Sequence, residues 1–225
     1  MNMIISYKLH RNSAILTSVV LAVTQLIAAG ITLSSVIRSG QFGFAALGSI
    51  ALGMIPTGLM IAVLLRGRKD FLAGILCILA AAPCALAIFS NATAAMTYVV
   101  VKNPPSGAMV LCGISASMIL IMASVTSAVF YVMLALECIK PGKVSGSRFK
   151  ALLLILPAVF VLLSALAVPV RILYTAENVG FGVYMGAALK SFGTGLVLKL
   201  GLIFAGLTFL VPVRADILDE NGNPA

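Results

Sequence analysis

The chain has 225 residues, 61% hydrophobic and 9% charged, with a mean hydropathy of +1.16 and a net charge of +9. A soluble domain carries about 25% charged residues because it must present a polar surface to water. Fifteen cationic and six anionic side chains are too few for that, so lipid is the solvent for most of this chain. A soluble enzyme, a disordered regulator and a secreted disulfide scaffold are excluded.

Roughly 20 apolar residues in a helix cross about 30 Å of hydrocarbon. Charges and Pro/Gly clusters divide the sequence into six such stretches. The first, 13–37, lies between Arg11 and Arg38. It follows Lys8 and His10 much as a signal-peptide core would, but it exceeds the usual 7–15 residues and five more stretches follow, so it reads as an uncleaved helix. The second, 44–65, stops at Arg66-Gly67-Arg68-Lys69-Asp70 and holds Pro56 near its middle. The third begins at Phe71 with Pro83 inside it; a crossing of 71–92 would leave the residues after Ser90-Asn91 along the interface. The fourth, 108–136, ends at Glu137 and is followed by a Gly-, Pro- and Ser-containing segment to Lys150 that reads as a flexible linker. The fifth, 151–170, ends at Arg171, and the sixth, 190–213, ends at Arg214. The tail, 216–225, reads as short, acidic and mobile. Helices and closed barrels are the two ways to satisfy a backbone in lipid, and a barrel would show alternating ten-residue segments. The expected fold class is therefore all-α, a single polytopic membrane bundle of six transmembrane helices.

Orientation follows from the loop cations. With the N-terminus inside, inner segments hold ten Lys and Arg, and the outer loops hold three, Arg38, Lys102 and Arg171. Both termini are expected to be cytoplasmic, in a multi-pass protein of the bacterial plasma membrane. The same distribution accounts for the basic charge, which needs the lipid bilayer as partner and no nucleic acid.

Lys199 is the most unusual residue, because it falls mid-span and a lysine there costs about 2.5–3.5 kcal/mol on insertion scales. It either faces a polar cavity that attracts an anion or snorkels along its four-carbon stem to an interface. Lys190 lies nine residues earlier, on the opposite face of a straight helix, and with Arg171 reads first as an outer-interface anchor. A break at Gly193-Thr194-Gly195 would let the two lysines converge, so Lys199, Lys190 and Arg171 form the candidate substrate-binding set. Pro56, Pro83, Gly193 and Gly195 are the candidate hinges or kinks. Ala14, Ser18 and Ala22 form a small-residue face suited to packing within the bundle or to dimerisation. Ser117, Ser124 and Tyr131 share a face of the fourth stretch, although hydroxyls there can be consumed by their own helix.

Catalytic constellations do not emerge. His10 is the single histidine, no H-E-x-x-H or G-x-S-x-G occurs, and the four cysteines (Cys77, Cys84, Cys112, Cys138) lack C-x-x-C spacing. No catalytic residue, metal site or cofactor is expected, and the chain does not read as an enzyme. The leading expectation is a small transport or permease-type subunit for an unidentified solute, working with other membrane subunits or as a homo-oligomer. The alternative is a structural or assembly subunit that moves nothing.

Overall fold

The computed structural model describes residues 2–38, 44–67, 70–100, 107–175 and 181–210, apart from the side chains of 2–6, 32, 35–37, 44–53, 107–109, 171–175 and 181–182. The sequence expectations for Arg68, Lys69, Lys102, Arg214 and the tail, and for the Arg171 side chain, lie outside these described residues.

Six helices account for most of the described residues: α1 (Asn2–Arg38), α2 (Phe44–Arg66), α3 (Phe71–Val100), α4 (Gly107–Ile139), α5 (Leu152–Thr175) and α6 (Phe181–Leu210). Five of them (α1, α3, α4, α5 and α6) are long and apolar enough to cross a membrane. In α2 the described apolar run is the shorter Met54–Arg66. Large apolar side chains such as Leu16, Ile31, Phe89, Val99 and Leu189 stand on the surface. Such an exterior suits hydrocarbon and not water.

Each helix packs on its sequence neighbour, and α6 packs back on α1, so the six form a closed ring. Short connections make neighbours antiparallel, and the seams display it. In the α3–α4 seam, Gly74 at the start of α3 lies against Ala135 and Ile139 at the end of α4, while Tyr98 at the end of α3 lies against Gly113 at the start of α4. In the α5–α6 seam, Tyr184 donates its hydroxyl to the Pro169 carbonyl at one end (3.1 Å), and Gly206 meets Leu153 at the other. Pro157 has no N–H to give the Leu153 carbonyl, and the missing side chain of Gly206 lets the α6 backbone close onto that same oxygen.

The long third and sixth helices are unbroken. Asn91 and Thr93 donate to the Ala87 and Phe89 carbonyls of their own helix, and α3 runs on past residue 92 to Val100. At 1.5 Å per residue α3 is about 45 Å long, more than a straight crossing requires. Likewise α6 starts at Phe181 and continues through Gly193-Thr194-Gly195, where Thr194 donates to the Lys190 carbonyl. Pro56 and Pro83 also sit inside continuous helices.

Two connections are built more tightly than composition suggests. Gly67 adopts a positive φ of 81° directly after α2, the left-handed position that closes many helices. Asp70 then caps α3, accepting the Leu72 amide (2.8 Å), and pairs with Arg66 at the end of α2. Hydrogen bonding from Arg66 holds the Asp70 carboxyl below the usual carboxylate range.

The segment after α4 folds into successive turns around Glu137 and is not an open linker. The fully buried Glu137 carboxylate accepts the amides of Gly142, Val144 and Ser145 and the Ser145 hydroxyl, at 2.7–3.1 Å. Gly142 takes a φ of 85° to permit this wrap.

The antiparallel ring brings the start of α1, the ends of α2, α4 and α6, and the start of α5 to one end of the bundle. Seven described cations gather there: Lys8, Arg11, Arg66, Lys140, Lys143, Arg148 and Lys150. Arg38 stands at the opposite end, and Lys190 lies nine residues into α6 from that end.

Candidate functional site: a central cavity at Lys199

Packing differs sharply between the two halves of the ring. At the basic end large side chains interlock: Met60 and Leu64 of α2, Phe130 and Leu134 of α4, Leu153 of α5 and Phe209 of α6 are fully buried. In the other half the buried described side chains are small, namely Ala95, Ala116, Ser117, Ala123, Ala167 and Ala188. A dense plug therefore occupies the basic end.

Above the plug lies a cavity of about 250 Å³, to which all six helices contribute. Ser18 and Gln25 come from α1, Thr57 and Met60 from α2, Cys84 from α3, Ser127 and Tyr131 from α4, Phe160 from α5, and Lys199 and Leu202 from α6. These positions lie close to helix midpoints, so the cavity is deep within the bundle. At about 30 Å³ per water, its volume equals about eight water molecules.

Why these side chains meet here is a matter of seam geometry. A Cβ added at Gly201 would stand 2.8 Å from the hydroxyl oxygens of both Thr17 and Ser18. Only glycine lets α6 approach α1 this closely, and that approach sets the rotation that turns Lys199 inward. Ala14 and Ser18 are buried on the same face of α1, and Ser18 of that small-residue face lies against Gly201 of α6. On the far wall, Cys84 Sγ lies 3.4 Å from Ser127 Oγ and joins α3 to α4.

Lys199 is the sole charged side chain on the cavity wall among the described residues. Its Nζ sits 5.3 Å from the centre of the Phe160 ring. A desolvated cation–π contact supplies about 2 kcal/mol or more, of the same order as the roughly 2.5–3.5 kcal/mol cost of a central lysine. The described cavity wall carries no acid, so the Phe160 ring is the partner it offers the cation.

The other expected site residues divide. Pro56 reaches the cavity, and Pro83 immediately precedes the lining residue Cys84. Gly195 packs on Ala165 of α5, while Gly193 has open space around it. Lys190 is exposed and stays away from the cavity because α6 is continuous; the two lysines do not converge. Ser117 and Ser124 donate to the Gly113 and Leu120 carbonyls of their own helix, leaving Ser127 and Tyr131 as the α4 groups at the cavity. Sequence reasoning did not anticipate Thr57, Cys84, Ser127 or Phe160 as neighbours of Lys199. Among the described residues no group of His, Cys, Asp or Glu could hold a metal ion.

Set against known proteins, the chain matches no family model, no curated protein and no solved structure.

Proposed function

We propose that the protein is a small permease-type subunit with six transmembrane helices and both termini in the cytoplasm of a bacterial cell, passing a small solute through the central cavity. The observation that carries this reading is the placement of Lys199: a cation deep in a bundle, on the wall of a cavity to which every helix contributes. Intramembrane ionisable residues that face a cavity mark solute or ion pathways more often than they serve structure. Six spans follow if α2, with mean composition as apolar as its neighbours, crosses as they do. The cation asymmetry between the two ends supports the orientation, with the basic end inside.

On this orientation the plug lies on the cytoplasmic side of the cavity, and the half whose buried described side chains are small faces outward. The arrangement suits one state of an alternating-access cycle, in which the plug must open to release solute inward. The assembly alternative would use the apolar surface of α1, where Leu16, Val20, Val23 and Ile27 stand exposed, and not Ser18, which lies against Gly201 of α6.

Uptake into proteoliposomes containing the purified protein, or uptake by cells that express it with its partners, tests the proposal. Lys199→Leu is expected to reduce solute uptake at least tenfold while the protein inserts and melts as the wild type does. Unchanged uptake in that variant would rule out the cavity as the pathway.

A further inference from the structure

On the reading that the central cavity is the solute site, its chemistry also defines the class of solute. Four properties of the wall bear on this. It carries one cation, Lys199, and no acid among the described residues. It offers neutral polar groups, including the Thr57, Ser127 and Tyr131 hydroxyls. Apolar groups make up the remainder, chiefly Met60, Phe160 and Leu202. Its volume of about 250 Å³ falls below the roughly 300–1,000 Å³ typical of sites for drug-sized ligands.

We propose that the cavity binds a small organic monoanion, typified by a short-chain monocarboxylate, with its anionic head at Lys199 and its apolar body against Phe160 and Leu202. Charge decides the head. A neutral solute leaves Lys199 uncompensated in a medium of low dielectric, and a dianion leaves one of its own charges so. A monoanion cancels the single cation and accepts hydrogen bonds from nearby hydroxyls. The lining decides the body. A purely inorganic ion would leave the half-buried Phe160 and Leu202 surfaces in contact with water, whereas a two- to five-carbon chain removes them from it. Volume excludes a whole phospholipid.

Equilibrium binding of radiolabelled butyrate to the full-length protein in neutral detergent tests the assignment. Saturable binding is expected, strengthening about fourfold for each methylene from acetate to butyrate, since burying a CH₂ contributes about 0.8 kcal/mol. Butyramide, the neutral isostere, and succinate, the dianion, are each expected to compete at least tenfold more weakly. Lys199→Met is expected to abolish binding. If that variant fails to fold, the butyrate-to-butyramide comparison on the wild type decides alone. Equal competition by butyramide, preference for succinate, or stabilisation by added phosphatidylglycerol with none by butyrate would each overturn the proposal. The transport reading fails separately. Butyrate binding without flux in proteoliposomes removes transport and leaves the anion site, while flux of a neutral solute without butyrate binding does the reverse.

Discussion

At the residue scale, the acidic side chains matter because there are so few of them. Glu137 spends its carboxylate on four donors from one loop, and this converts a Gly- and Ser-containing connection into a fixed structure. Hydrogen bonds to a charged group contribute about 1.5–3 kcal/mol each, and buried donors left without an acceptor are costly. Glu137→Ala is therefore expected to destabilise the protein by roughly 3 kcal/mol or more. The expected result is a lower thermal midpoint in detergent, with new tryptic cleavage at Lys143 and Arg148. Wild-type resistance to trypsin in that variant would show that the loop is held by something else. The sequence hides this role because the composition of the loop signals flexibility. The informative feature was a lone acid seven residues before Val144 and eight before Ser145. Lys199 was legible for the converse reason: a cation inside an apolar run is conspicuous wherever it points.

Helices were readable where a charge or a Pro/Gly cluster interrupts the apolar run, which places most ends of the observed elements within a few residues. Polar residues alone do not end a helix here. Ser90-Asn91 read as the end of a 71–92 crossing; in the structure Asn91 and Thr93 each donate to a carbonyl of their own turn and the helix continues past them. Which face each helix turns inward was not legible. These helices are apolar all round, so no hydrophobic stripe marks an inner face, and facing is set by close contacts between small groups instead. Gly201 on α1 and Gly206 on α5 provide those contacts for α6. Gly206→Leu would drive a side chain into the Leu153 carbonyl, and the resulting separation of α5 and α6 is expected to lower the thermal midpoint by several degrees. Gly186, which has open space around it, supplies the control, and Gly186→Leu should melt as the wild type does. Equal effects of the two substitutions would refute the close-approach account of this seam.

The whole molecule is asymmetric from end to end. Large side chains interlock at the basic end and small ones line the remainder of the described interior, with Lys199 and the cavity between them. Sequence alone indicated six apolar stretches and a basic side. It did not indicate a closed ring, because ring closure depends on α1 meeting α6 across the full length of the chain. Nor did it indicate a plug, since Leu and Phe occur in both halves of most helices and burial depends on tertiary contact. Cys84 stands at the boundary between plug and cavity, lining the latter beside Ser127, and its thiol reports on access to the site. In a variant carrying Cys77→Ala, Cys112→Ala and Cys138→Ala, a membrane-impermeant thiosulfonate reagent can be applied separately to right-side-out and inside-out vesicles. Modification of Cys84 from the outer side, with protection from the inner side, is the result expected of a solute cavity sealed by the plug. Reaction from the inner side alone, or none in folded protein whose denatured form reacts fully, would contradict it.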